Sequence, residues 1–223
     1  MIKTYEGIVI RQTKIIGGRR MVLIFTRDEG KVSAGTHISE KSKGVAALAI
    51  RPFAYGQYTM TEKREGLRQL SAADIINAHF ALGSDADRFS EASFILEFTD
   101  KILPEGAPEP EIFDLLKDYL GMIVVRKTDF RLLTISYMIK VMQELGVFPD
   151  AASLSGSELL SNLNGDILNA LVFIEGQTLK RMEKLTLDIE KERAIFAALK
   201  AFAQKNLDLG AIKSECMFTK SSQ

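Results

Sequence analysis

With 223 residues, 46% of them hydrophobic, the chain has material for one large domain or two small ones with packed cores. Its apolar runs, such as Leu168–Ile174, fall far short of the roughly 20 residues a bilayer span requires, and its one cysteine, Cys216, excludes an internal disulfide framework or a cysteine zinc cluster. The net charge of zero hides a division: residues 1–70 hold 13 Lys and Arg against 6 Asp and Glu, leaving 16 against 23 for the remainder. The basic first third would attract phosphate backbones and the acidic remainder would repel them, although the same charges also serve to solvate two faces. No short apolar core followed by a cleavage-like site stands at the N-terminus, so a cytoplasmic location is expected.

The β-branched stretch Tyr5–Thr13 predicts a first strand, with Gly7 as a bend or bulge of the kind that lets a small barrel close. Lys14–Gly18 reads as a loop. Two apolar runs, Met21–Thr26 and Lys31–Ala34, flank Arg27-Asp28-Glu29-Gly30, where Asp suits the turn and Gly accepts a positive φ, so a β-hairpin is expected. Ser39–Ala49 fits a short helix or a mobile loop. Arg51–Thr61 returns to strand character, Lys63–Gly66 is a charged turn, and Leu67–Leu70 is a last short strand. Five short strands with an insertion after the third match the small Greek-key barrel called the OB-fold.

From Ser71 the period changes. Ser71-Ala72-Ala73-Asp74 has the form of a helix N-cap with an acidic residue behind it. Helices are expected over Phe89–Leu103, stopped by Pro104, then from Pro110 along Ile112, Leu116 and Ile123, and over Asp129–Leu145 with Gly146 as cap. Ser155–Glu158 is a capping box and Asn164-Gly165-Asp166 a break before Ile167–Ile174. Asp188–Leu207 closes the helical part, and Lys213–Gln223 reads as a polar, partly disordered tail. The reading is α+β: an OB-fold barrel over 1–78, then an α-helical domain over 79–223.

Lys14, Arg19, Arg20, Arg27, Lys31, Lys41, Lys43 and Arg51 are the candidate nucleic-acid contacts, acting as a set that releases counterions from phosphates. Tyr55 and Tyr58 are available as stacking platforms, although a barrel aromatic more often belongs to the core. For catalysis the sequence offers almost nothing. His37 and His79 are isolated from any Glu or Cys at metal-ligand spacing, Cys216 reads as a buried or incidental thiol, and there is no phosphate loop, dinucleotide fingerprint or nucleophile elbow. No cofactor, metal or enzymatic activity is expected.

Gly7-Ile8-Val9, Phe25 through Ala34, Lys41-Ser42-Lys43 and Leu48 through Phe53 resemble the RecO family of bacterial recombination mediators. So do Gly66 through Leu70, Glu97-Phe98, Ile112 through Leu116, Glu144 through Asp150 and Ile212-Lys213-Ser214. The resemblance implies an OB-fold followed by a helical domain. It also implies binding of single- and double-stranded DNA, annealing of complementary strands, and action with RecR so that RecA can replace the single-stranded-DNA-binding protein. One departure is plain: many members carry two CxxC pairs forming a zinc module, and Ala151–Leu163 holds no cysteine. The resemblance alone implies capture of the acidic, Phe-ended tail of the single-stranded-DNA-binding protein on the helical domain, for which Arg126, Lys127 and Arg131 are the candidate cations. A protein-interaction adaptor with weak nucleic-acid binding is the rival reading, and an enzyme built on a dispersed constellation the third.

Overall fold

The computed structural model describes residues 1–15, 20–38, 45–62, 68–127, 130–149, 153, 165–184 and 186–220. Five strands, β1 (Ile2–Lys14), β2 (Arg20–Thr26), β3 (Gly30–Thr36), β4 (Tyr55–Glu62) and β5 (Arg68–Asn77), close into a barrel in the order β1-β2-β3-β5-β4. The short helix α1 (Val45–Ala49) stands between β3 and β4. Neighbouring strands are antiparallel except β3 and β5, which run parallel through Ala34↔Arg68 and Gly35↔Gln69. This is the mixed, OB-fold-like architecture expected from the strand count.

Alternation along the strands sends Tyr5, Val9, Val22, Ile24, Val32, Ala34, Tyr58, Met60 and Leu70 into the barrel, the larger aliphatic side chains each contributing about 1.5–3 kcal/mol by leaving water. Tyr58 donates its hydroxyl to the carbonyls of Ala49 and Ala54, and burial pushes its phenol well up. It is core, whereas Tyr55 lies on the outer side and donates to Glu6. Gly7 faces inward: a Cβ there would stand 2.6 Å from Ile24 Cγ2, so interior space requires the glycine. The bulge falls beyond it, between Val9 and Arg11.

The compact unit built on the barrel comprises Met1–Phe80 and Leu103–Lys117. Helix α3 (Pro110–Val125) begins in this unit, where Phe113 meets Phe25 edge-on with ring centroids 5.6 Å apart. Gly106 N–H donates to the Lys31 carbonyl, and Lys31 bridges Glu105. Ile8, Leu23 and Phe25, on the outward side of β1 and β2, are consequently not exposed strand faces but buried ones.

The second unit, Ala81–Ile102 with Asp118–Gln223, is helical. Helix α4 (Phe130–Glu144) is buried on nearly every side among α2 (Ala86–Ile102), α5 (Gly165–Glu175) and α6 (Ile189–Asn206). Its polar side chains are satisfied internally: Tyr137 and Thr99 share a 2.8 Å hydrogen bond, and Tyr119 and Thr134 one of 2.9 Å. Asp85 caps α2 by accepting from Arg88 N–H, and Asp188 caps α6 by accepting from Glu190 N–H. Among the described residues no helix is long and apolar enough to cross a membrane.

Two local expectations are corrected. Ser71-Ala72-Ala73-Asp74 opens no helix. It lies within β5, where Ala72, Ala73 and Asp74 pair Thr59, Tyr58 and Gln57, because ladder hydrogen bonds to a neighbouring strand outweigh a local cap. Lys213–Lys220 is a 3₁₀ helix rather than a loose tail: Glu97 accepts from the Lys213 and Ser214 N–H groups and the Ser214 hydroxyl. Of the two readings of Cys216, buried or incidental, its exposure removes the first. The capping box at Ser155–Glu158 falls outside the described residues.

Two glycines give opposite outcomes. Gly30 has φ +68°, and a Cβ on it would lie 2.0 Å from the Ala107 carbonyl oxygen, so Gly30→Ala destabilises by more than about 1 kcal/mol. Gly121, exposed within α3, has no atom within 4 Å of such a Cβ, and Gly121→Ala stabilises by about 0.5–1 kcal/mol. Chemical denaturation of the two variants measures both signs.

Candidate nucleic-acid interface

The barrel has two ends, and cations among the described residues stand at each. At the β2–β3 turn, Thr26 Oγ1 accepts from Glu29 N–H and donates to the Gly30 carbonyl, which presents Glu29 to the start of β1 and β5. Glu29 pairs Lys3 at 2.9 Å and Arg68 at 2.7 Å, and the hydrogen bond from Lys3 holds its carboxyl below the usual range. Arg27 pairs Asp114 at 2.9 Å, and Asp114 also takes Lys117 at 3.0 Å. Lys117 reaches Glu6 at 3.5 Å and lies over the rings of Phe113 and Tyr55. Arg27 lowers the Asp114 carboxyl. Lys31 is buried where the chain passes Glu105. Among the described residues at this end, Lys3, Arg27, Arg68 and Lys117 are each paired with a carboxylate.

The opposite end differs. Lys14 pairs Arg20 across β1 and β2, and Arg20 pairs Thr36 across β2 and β3, so three strand ends meet there. Arg20 is buried and donates to Gln12 Oε1, while Gln12 Nε2 donates to the Ile50 carbonyl at 3.3 Å, bringing Arg51 to the same end. Lys14 and Arg51 are exposed. Residues 7–27 contain no Asp or Glu, and residues 36–54 contain only Glu40. Of the eight cations named from sequence, Lys14, Arg20 and Arg51 thus gather at one end and Arg27 and Lys31 lie toward the other. Arg19, Lys41 and Lys43 fall outside the described residues. Arg11, exposed on β1, was not singled out by sequence, because nothing local marks which side of the bulge it faces.

In the helical unit, two of the three candidate tail-binding cations have other partners. Arg126 is buried and donates to the Met182 carbonyl at 2.6 Å. Arg131 pairs Glu91 at 2.5 Å and lies 4.3 Å from the centroid of Phe196. Lys127 is exposed. The two histidines part likewise: His79 is buried with Nδ1 2.8 Å from the Phe53 carbonyl, and burial lowers its pKa, whereas His37 is exposed just beyond β3. Among the described residues no group of His, Cys, Asp or Glu could hold a metal ion.

Comparison with known proteins completes the assignment. Residues 1–79 match the family model described as recombination protein O, N terminal, and residues 83–164 the one described as recombination protein O, C terminal. The chain belongs to the RecO family. The DNA repair protein RecO of Bacillus cereus (strain B4264) is 32% identical over 149 residues, covering 67% of this chain and 59% of that protein. The RecO of Exiguobacterium sibiricum is 28% identical over 149 residues, with 67% and 59% covered, and that of Alkaliphilus metalliredigens 26% over 153 residues, with 69% and 61% covered. The chain therefore spans about three fifths of the length of the curated RecO relatives it matches. Segments that carry the RecO resemblance meet in space: Phe25 and Arg27 touch Phe113 and Asp114, and Glu97 holds Lys213 and Ser214.

The Arg131–Glu91 pair yields a stability test. Burial holds the Glu91 carboxyl above its ordinary value, and among the described residues its Oε2 has no hydrogen-bond partner. Removing Arg131 leaves a buried carboxylate alone, so Arg131→Met loses about 3–5 kcal/mol at neutral pH. A carboxyl with a raised folded pKa binds its proton more tightly when folded, so the variant loses stability as pH rises through the carboxylate range and regains it on acidification. Denaturation of Arg131→Met at acidic and neutral pH, beside the Arg131→Met/Glu91→Leu double variant, which recovers most of the loss, checks the sign.

Proposed function

We propose that the chain binds single- and double-stranded DNA at the barrel end formed by Lys14, Arg20 and Arg51, with Arg19, Lys41 and Lys43 completing the set. Bound there, complementary strands are brought together and anneal. With RecR, the protein helps RecA replace the single-stranded-DNA-binding protein. The observation that carries this reading is the sorting of charge: carboxylates match the cations at the turn end, whereas the segments feeding the other end are almost free of acidic residues. Concentrated cations release counterions from phosphates, which supplies affinity without sequence preference. Holding two polyanions together needs no bond chemistry, so the reading is of a mediator and not an enzyme.

Affinity for single-stranded DNA measured across salt concentrations tests it. Wild type binds at low salt with a steep negative slope. Lys14→Gln and Arg51→Gln each weaken binding and reduce the slope by roughly 0.7, the value for one single-strand phosphate contact. Arg27→Gln, whose partner is Asp114, leaves the slope unchanged. Little binding at any salt would favour the adaptor reading.

The tail of the single-stranded-DNA-binding protein is the proposed ligand of the helical unit. Arg126 and Arg131 hold the fold through Met182 and Glu91, whereas Lys127 is exposed, so Lys127 carries the test. Lys127→Glu lowers the affinity of an acidic, Phe-ended peptide several-fold in a calorimetric titration while the melting temperature stays within a degree or so of wild type, as expected for an exposed site.

A further inference from the structure

The mouth of the barrel on the turn side, opposite the strand ends at Lys14 and Arg20, holds a cavity of about 60 Å³. Strand register builds it: β1 and β4 set Lys3 beside Met60, and β4 and β5 set Glu62 beside Arg68. Alternation turns Tyr5 and Met60 inward as its floor. Glu29 reaches the same mouth from the β2–β3 turn, and exposed Met1 lies at the rim. The mouth of a barrel is a common place for a small ligand when a few polar groups converge on an apolar floor.

The hydrogen bonds of this mouth do not close among themselves. Glu29 Oε1 accepts from Lys3 at 2.9 Å and from the Tyr5 hydroxyl at 3.2 Å, and its Oε2 pairs Arg68 Nη2 at 2.7 Å, so one carboxylate serves three donors. Arg68 thus turns away from Glu62, its neighbour across the strands, and the exposed Glu62 carboxylate pairs with neither cation. Arg68 Nη1 is buried, and it has no hydrogen-bond partner among the described residues. Buried donors are satisfied as a rule. One left open at the wall of a cavity marks a place for an acceptor that the chain itself does not supply.

We infer that this mouth binds a small amino-acid zwitterion, its carboxylate on Arg68 and Lys3 and its ammonium on Glu62. Charge selects this class. Lys3 and Arg68 balance Glu29 and Glu62, so a dianion such as phosphate brings uncompensated charge beside two carboxylates, and a simple cation does the same beside two cations. A zwitterion adds no net charge and meets both open groups. The walls suit its carbon atoms, because the Tyr5 ring is apolar on its faces and the thioethers of Met1 and Met60 adapt to small irregular shapes. The site shares no residue with the DNA-binding reading and does not rest on it.

The test follows the methionine methyl signals of the full chain by NMR, with that of Met60 identified by its absence in Met60→Leu. Glycine and β-alanine, which differ in the spacing of their charges, are the zwitterion probes, and acetate, methylammonium and inorganic phosphate carry charge of one sign each. At least one zwitterion is expected to shift the Met60 signal saturably, in the millimolar range that so few atoms allow, at concentrations where the other probes do not. Arg68→Lys keeps a cation beside Glu29 but removes the open Nη1, and Glu62→Gln changes an exposed side chain. Each is expected to weaken binding about ten-fold, the worth of one charge-assisted hydrogen bond, while the melting temperature of Glu62→Gln stays that of the wild type. No saturable shift with either zwitterion, acetate or phosphate binding as tightly as the zwitterions, or an unchanged affinity in Glu62→Gln would overturn the proposal.

Discussion

The edge-on contact of Phe25 with Phe113 decides which part of the barrel wall faces water. Such a contact between buried rings adds about 0.5–1.5 kcal/mol to the area both bury, and it fixes the first turns of α3 against the hairpin. Once Phe113 is seated, Asp114 stands beside Arg27, and Lys117 three positions on stands beside Glu6. The exposed ion pairs add little to stability by themselves. Their consequence is electrostatic: they cancel charge at the turn end. Among the described residues, Lys14, Arg20 and Arg51 stand away from these carboxylates, at the strand ends opposite the turn.

Features set by local chemistry were legible in the sequence. The hairpin turn was, because Gly30 must supply a positive φ, and so were the α6 boundaries, because Asp188 caps one end and Leu207 closes the other. Features set by a distant partner were not. The Ser71–Asp74 cap signature is real as a local pattern, yet the β4 ladder overrides it. Nothing in Lys213–Lys220 announces that Glu97, more than a hundred residues earlier, will satisfy its first N–H groups. The same holds for charge: Arg27 reads as a phosphate contact until Asp114, 87 positions away, is placed against it.

The helical unit shows how polar side chains can specify a core. Thr99–Tyr137 and Tyr119–Thr134 satisfy each other inside an otherwise apolar packing, so their burial costs little, while misregistered helices would orphan the two tyrosine hydroxyls, since each threonine keeps a carbonyl of its own helix. Arg131 obeys a harsher rule. Its fork is held between the Glu91 carboxylate and the Phe196 ring, a site fit to keep Glu91 from being a lone buried charge. Sequence gave Arg131 as part of a basic cluster; position within α4 makes it a structural cation first.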